Sequence, residues 1–254
     1  METPAYFYGF PDFAIERTAS GVLTLRLHSG GEPAALSVRL HRDFPRVLRE
    51  IADDRDNRVL VLTGTGDRFM TEMDMRGDRQ AFKPLHWDEI YWEGRQVLRA
   101  LVDLPMPVVA AINGPATIHS EWVLLGDITI ASDTAYFQDF PHLAGEVVPG
   151  DGVHVVWEEL LGINRARYAA LTQQVFQADE ALRLGMVNEV VPSADVLPRA
   201  LALAEQLASK PPLLLRLTPL ALRQRLARRL DEGTTLGLAL EGLTMADKPY
   251  QPPV

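Results

Sequence analysis

Three short runs set the frame for this chain: RVLVLTGTG (58–66), PVVAAING (107–114) and DITIAS (127–132). Each is an almost unbroken apolar stretch of strand length that ends in turn-forming residues. Apolar runs without polar alternation suit strands covered on both faces, as in a parallel sheet between helical layers. Between the first two lies WDEIYWEGRQVLRALVDL (87–104), whose periodicity predicts a helix stopped by Pro105 and Pro107. Ahead of them, VLTLRLH (22–28) alternates as a half-buried strand, and Leu36, Leu40, Phe44, Val47, Leu48 and Ile51 recur at helical spacing. AYFQD (135–139) adds a further strand. Beyond residue 151 helices are predicted at 152–161, 165–172, 178–184, 194–209 and 220–247, with VNEVV (187–191) the one strand-like interruption.

Strands alternating with helices, followed by a helical tail, predict an α/β fold of βαβ units on a mostly parallel sheet. KPPLLLRLTP (210–219), with three prolines, marks the start of the tail. The stretch RLTPLALRQRLARRL (216–230) is basic and amphipathic, and the expectation is that its leucines pack on the core while its arginines stay solvated. Three loops follow strands: GDRFMTEMDM, NGPATIHSEW and DFPHLAGEVVPGDG. Ligands in α/β sheets bind beyond the carboxyl ends of the strands, so these loops are expected to meet at one pocket.

Composition narrows the function classes. A net charge of −9 and a pI of about 5.2 oppose nucleic-acid and anionic-membrane binding, which need a basic face. The chain has no cysteine, so disulfides, thiolate metal sites and a cysteine nucleophile are excluded. No apolar run approaches the roughly 20 residues of a membrane span. METPAYFYGFPDF shows no secretory pattern, so a cytoplasmic location is expected.

Several of these segments carry a resemblance. NGPATIHSEW followed by DITIAS is similar to the segment of the crotonase (enoyl-CoA hydratase/isomerase) superfamily that supplies half of its oxyanion hole. FMTEMD (69–74) stands where the other oxyanion loop lies, and FQADEALRLGMVNEVVP (176–192) resembles that superfamily's helix, glycine and strand. The similarity runs in order along essentially the whole chain. It implies a ββα spiral core over 1–192 and a C-terminal helical trimerisation region over 193–254, hence a homotrimer or a dimer of trimers.

The departures concern the chemistry. Hydratases keep a run of glycines where this chain has Thr117, Ile118, His119 and Ser120, and a catalytic glutamate after a loop proline where Pro141 is followed by His142. Asp151 replaces a further glycine. In these positions the chain resembles the β-diketone hydrolase branch, typified by 6-oxocamphor hydrolase. Its characteristic residues map onto His41, His119, His142, Asp151 and Glu241, and Leu36 replaces a tryptophan of that branch. The resemblance implies carbon–carbon cleavage of a cyclic or bicyclic β-diketone to a keto acid by a retro-Claisen reaction. No cofactor and no metal are needed for it.

The residue types suit that reaction. A neutral histidine takes a proton from water near its own pKa. An aspartate on its other nitrogen fixes the tautomer, so His142 is assigned as base and Asp151 as its orienting partner. His119, with the backbone N–H donors of the loop, is assigned to carbonyl binding and enolate polarisation. Other readings stay open. Asp151 also suits a helix N-cap, His154 three residues on is a rival partner for it, and His41 and Glu241 suit structural roles. Glu121 is assigned no chemistry. Leu36, Phe82, Trp87 and Trp122 are expected to shape the pocket. A divergent acyl-CoA hydratase, a thioesterase, a dehalogenase with Asp151 as nucleophile, and a scaffold without activity are the competing functions.

Overall fold

The computed structural model describes residues 3–74 and 83–247; Phe82 lies outside them. Its first half runs β1 (Phe13–Arg17), β2 (Val22–Leu27), β3 (Ala35–Ser37), α1 (Val38–Asp53), β4 (Val59–Thr63), β5 (Glu72–Asp74), α2 (Pro84–Val102) and β6 (Val108–Ile112). Then come α3 (Ser120–Leu124), β7 (Ile128–Ser132), β8 (Tyr136–Phe137), α4 (Pro141–Ala144), α5 (Val153–Leu161) and α6 (Ile163–Thr172). The described residues close with β9 (Phe176–Gln177), α7 (Ala178–Leu184), β10 (Glu189–Val191), α8 (Val196–Ala208) and α9 (Pro212–Asp247).

Six strands form the main sheet in the order β1-β2-β4-β6-β7-β10. All neighbours are parallel except β1 and β2. Side chains alternate between the two faces of a strand. In β4 this sends Leu60 and Leu62 into the main core with α1 and α2. Val59 and Val61 point the other way, against Val196, Ala200 and Ala204 of α8. The helical region expected to begin at 193 therefore starts with a helix that covers one face of the sheet. No helix among the described residues is long and apolar enough to cross a membrane.

Local differences from the sequence expectation have physical reasons. β1, absent from that expectation, is an edge strand paired antiparallel to β2. Leu36 does not join the first helix: the Ser37 side chain accepts the Leu40 N–H at 3.1 Å and caps α1. Leu36 lies instead in β3, opposite Met73 of β5.

The largest difference is in α9. The helix begins at Pro212, where a missing N–H costs nothing, and continues through Pro219 to Asp247. Its buried face is Leu215, Pro219, Arg223, Leu230, Thr234, Gly237 and Leu238, which follow a helical stripe along one side. The expected arrangement of leucines inside and arginines outside is thus reversed at key positions. Leu213, Leu217 and Leu222 are exposed, while Arg223 is only 5% exposed. Its Nε donates to Asp127 Oδ1 at 2.8 Å, Nη1 to the Leu104 carbonyl at 2.9 Å and Nη2 to the Met106 carbonyl at 3.1 Å. Asp127 also accepts the Val108 N–H at 2.7 Å. A guanidinium with five donors can satisfy orphaned carbonyls and a carboxylate at once, which no leucine can do.

Farther along, α9 comes so close to the loop before α5 that a Cβ on Gly237 would lie 2.4 Å from the Gly150 carbonyl oxygen. Glycine on both sides allows this approach, which brings Glu241 to the wall of a cavity that Asp151 also lines. Arg223→Met leaves the half-buried Asp127 without its counter-charge and the Leu104 and Met106 carbonyls without their donor, and is expected to lower unfolding free energy by about 3 kcal/mol. Urea denaturation measures this, and an unchanged midpoint would refute the clamp.

Candidate active site

The loop Asp139-Phe140-Pro141-His142 turns into the single-turn helix α4, with Pro141 at its first position. That turn brings residues three apart together. His142 Nδ1 lies 2.5 Å from Asp139 Oδ1, and both side chains are 7% exposed. The other ring nitrogen, Nε2, faces Asp151 Oδ2 at 3.5 Å and Glu241 Oε1 at 3.7 Å. Burial by itself would depress the His142 pKa. Asp151, Asp139 and Glu241 outweigh it and hold the imidazole well above 6.5.

His119 stands at the start of α3 with φ 48° and ψ 46°. This left-handed backbone is natural for glycine and strained for most other residues, although histidine is among those that adopt it more often. The backbone shape of a glycine position is thus kept while a side chain is added. The ring stacks on Trp122 with centroids 4.3 Å apart and planes 9° from parallel. Trp122 in turn packs on Phe44 of α1. His119 Nδ1 meets Glu121 Oε1 at 2.6 Å and Asp151 Oδ2 at 3.2 Å. Burial opposes the charged ring, but the two carboxylates raise its pKa to about 10. The indole face gives a cation further support.

Asp151 is shared. Its Oδ1 accepts the Val153 N–H at 3.2 Å, in the manner of a helix cap, while Oδ2 serves both imidazoles. Burial would raise its pKa; His142 and His119 together pull it far below the usual carboxylate range. Glu121 is fully buried, and burial and then Asp151 push it up to about 7. Glu241 is raised as well, again first by burial. The Glu241 Oε2 and Glu121 Oε2 atoms have no hydrogen-bond partner among the described residues. Ligand atoms of His119, Glu121 and Asp151 lie within 4.8 Å of one another, the spacing a divalent ion would need.

These groups line one cavity of about 240 Å³, whose walls otherwise include Leu36, Trp87, Ile90, Ile118, Trp122 and Leu238. His41 and Glu93 also face it, with His41 Nδ1 3.0 Å from Glu93 Oε2. All five residues singled out in the sequence, His41, His119, His142, Asp151 and Glu241, thus line the same space.

Three expectations change. Asp139, not Asp151, holds the Nδ1 of His142; the DxxH spacing ahead of a proline-initiated turn is the signal for it. Two of the loop amides, those of Thr117 and Ile118, both donate to the Met70 carbonyl, at 3.0 and 3.2 Å, and so do not face the cavity as carbonyl donors. Glu121, left without a role, is the nearest partner of His119. His154 lines a separate cavity with Asp139 and Trp157, which sets it apart from the pocket that Asp151 lines.

Comparison with known proteins agrees with the architecture. Residues 17–250 match the family model described as Enoyl-CoA hydratase/isomerase. The chain is 30% identical over 199 residues to the short-chain-enoyl-CoA hydratase of Clostridium acetobutylicum, covering 78% of this chain and 76% of that one. It is 30% identical over 244 residues to the enoyl-CoA isomerase/hydratase fer4 of Mycosarcoma maydis, covering 91% and 88%. A solved structure of ABDH, a β-diketone hydrolase from the cyanobacterium Anabaena sp. PCC 7120 bound to (S)-3-oxocyclohexyl acetic acid, superposes with a TM-score of 0.94. Its identity is 44%, over 97% of this chain and 99% of that one.

The charge on His119 is open to direct observation. A group whose folded pKa is raised gives stability that is complete below its unfolded value and is lost as pH rises through the folded one. For His119 that window runs from 6.5 to about 10. Nitrogen-15 NMR of the imidazoles is expected to show His119 still protonated at a pH of about 8, and Asp151→Asn to lower its titration point. An ordinary titration near 6.5 would rule out the imidazolium.

Proposed function

The chain belongs to the enoyl-CoA hydratase/isomerase family, and from that premise we propose that it is a cofactor-independent β-diketone hydrolase. Its substrate is a compact cyclic or bicyclic β-diketone, cleaved by a retro-Claisen reaction to a keto acid. The observation that carries the reading is the placement of one carboxylate, Asp151, within reach of both His119 and His142 at the wall of an apolar cavity.

Asp139 takes the Nδ1–H of His142, so that Nε2 is the nitrogen offered to water. Asp151 and Glu241 converge on that nitrogen at 3.5 and 3.7 Å, where their oxygens can accept from a water that enters from the cavity. Neutral His142 removes a proton as that water attacks one carbonyl. His119, with Nδ1 held by two carboxylates, turns a protonated Nε2 to the oxygen of the second carbonyl. When the carbon–carbon bond breaks, the electron pair moves onto that oxygen as an enolate, and a fixed cation in a low-dielectric site stabilises it most at that moment. Protonation of the enolate carbon completes the keto acid.

The 44% identity to the Anabaena hydrolase, bound to a keto acid with a cyclic ketone, supports this assignment. Thioester chemistry fits less well, because the glycine run that hydratases keep in this loop is here Thr117, Ile118, His119 and Ser120. An Asp151 nucleophile fits poorly too: its Oδ2 is held by two imidazoles and its pKa is strongly lowered, which makes it a weak attacking group. Exposed leucines on α9, with Leu213 71% and Leu222 74% exposed, support the homotrimer that the family resemblance implies.

Two experiments test the reading. His142→Ala is expected to fold normally and to lose about 10²–10⁴ in kcat on a bicyclic β-diketone, with Asp139→Asn also strongly impaired. Wild-type rates in the His142 variant would end the assignment. The pH profile of kcat/KM follows from the shifts: the base must be neutral and the donor charged. Activity is expected to rise through an inflection above 6.5, set by His142, and to fall near 10, set by His119. An acid limb inflecting below 6.5 would contradict the site's electrostatics.

A further inference from the structure

The hydrolytic steps leave one histidine–carboxylate pair in the cavity unused. His41, in the first turns of α1, and Glu93, near the middle of α2, meet across the packed helices at 3.0 Å. Glu93 occupies Nδ1, and among the described residues no side chain claims Nε2. The His41 ring centre lies 5.8 Å from that of His119, on which the enolate oxygen is proposed to rest.

The cleavage reaction creates a need for such a group. Breaking the bond leaves an enolate whose carbon must be protonated before the keto acid departs. His142 has just taken a proton from water. However, it is hemmed in by three carboxylates, Asp139 at 2.5 Å, Asp151 at 3.5 Å and Glu241 at 3.7 Å, which hold that proton on the imidazole. His41 has a single carboxylate partner. Its side chain is 13% exposed against 7% for His142, so it has the better access to protons from solvent.

Resting on the hydrolase reading, we propose that His41 delivers the proton to the enolate carbon and that Glu93 is the positioning residue that fixes its ring. The step balances. The C–H bond forms with the electron pair of the enolate carbon–carbon double bond, the oxygen on His119 returns to a ketone, and the Nε2–H bond of His41 breaks. His41 recovers a proton from solvent, His142 returns to solvent the one it took from water, and the new carboxylic acid releases its own. The net change is addition of one water and release of one proton.

The test uses a bicyclic β-diketone with a methyl group on the bridgehead carbon between its carbonyls, so that protonation creates a stereocentre. Epimer ratio is read at early times in wild type, Glu93→Gln, Glu93→Asp and His41→Gln, each checked for an unchanged unfolding midpoint. Wild type is expected to give one epimer. Glu93→Gln and His41→Gln are expected to give the mixture of epimers that the free enolate gives when protonated in solution, with kcat lower by about 10²-fold and KM changed far less, and Glu93→Asp to recover selectivity. A single epimer from Glu93→Gln and His41→Gln, or a mixture from wild type, overturns the proposal while leaving the hydrolase reading intact. Failure of wild type to cleave any diketone would instead overturn the hydrolase reading.

Discussion

The carboxylate of Asp151 is the constraint on which the site depends. Two histidines raised toward their charged forms stand in an apolar cavity, and isolated charges there would be prohibitively expensive. One oxygen of Asp151 lies within 3.5 Å of both rings, and the other is fixed by the Val153 amide at the start of α5. The helix start thus pins the carboxylate, and the carboxylate sets where the imidazoles rest. Asp139 and Glu121 then complete the set by taking the Nδ1 atoms of His142 and His119. Burial opposes each charge in the cluster and is outweighed only because each imidazolium has at least two anionic neighbours.

Glu241 enters this network from the far end of the chain, and two features of α9 deliver it. Arg223 ties the helix to Asp127 and to the carbonyls between α2 and β6. Glycines at 150 and 237 then let two backbones approach within a distance that any side chain would forbid. The clamp anchors the helix and the glycines set its depth, so that a residue more than 80 positions beyond Asp151 in sequence reaches His142.

A shared backbone carries different side chains here. His119 retains a left-handed conformation suited to glycine, but its side chain reaches the cavity. In the same loop the Thr117 and Ile118 amides turn to Met70. The loop thus presents an imidazole to the cavity where hydratases keep glycine, which is the difference that the proposed hydrolase reading rests on. Function is decided by these few side chains, within a fold common to proteins with other activities.

The sequence by itself determined the layers and the chemical vocabulary. Unbroken apolar runs at 58–66, 107–114 and 127–132 require strands covered on both sides. The family resemblance pointed to His41, His119, His142, Asp151 and Glu241, which line one cavity in the structure. Tertiary structure alone decided the pairings. Asp139 became the partner of His142 because a proline-initiated turn brings residues three apart together, and Glu121 met His119 because a left-handed residue opens α3. Arg223 was buried because orphaned carbonyls outside its own helix needed a donor. Periodicity records how apolar a position is; it does not record which polar group will be left unsatisfied nearby, and that need is what draws a charged side chain inward.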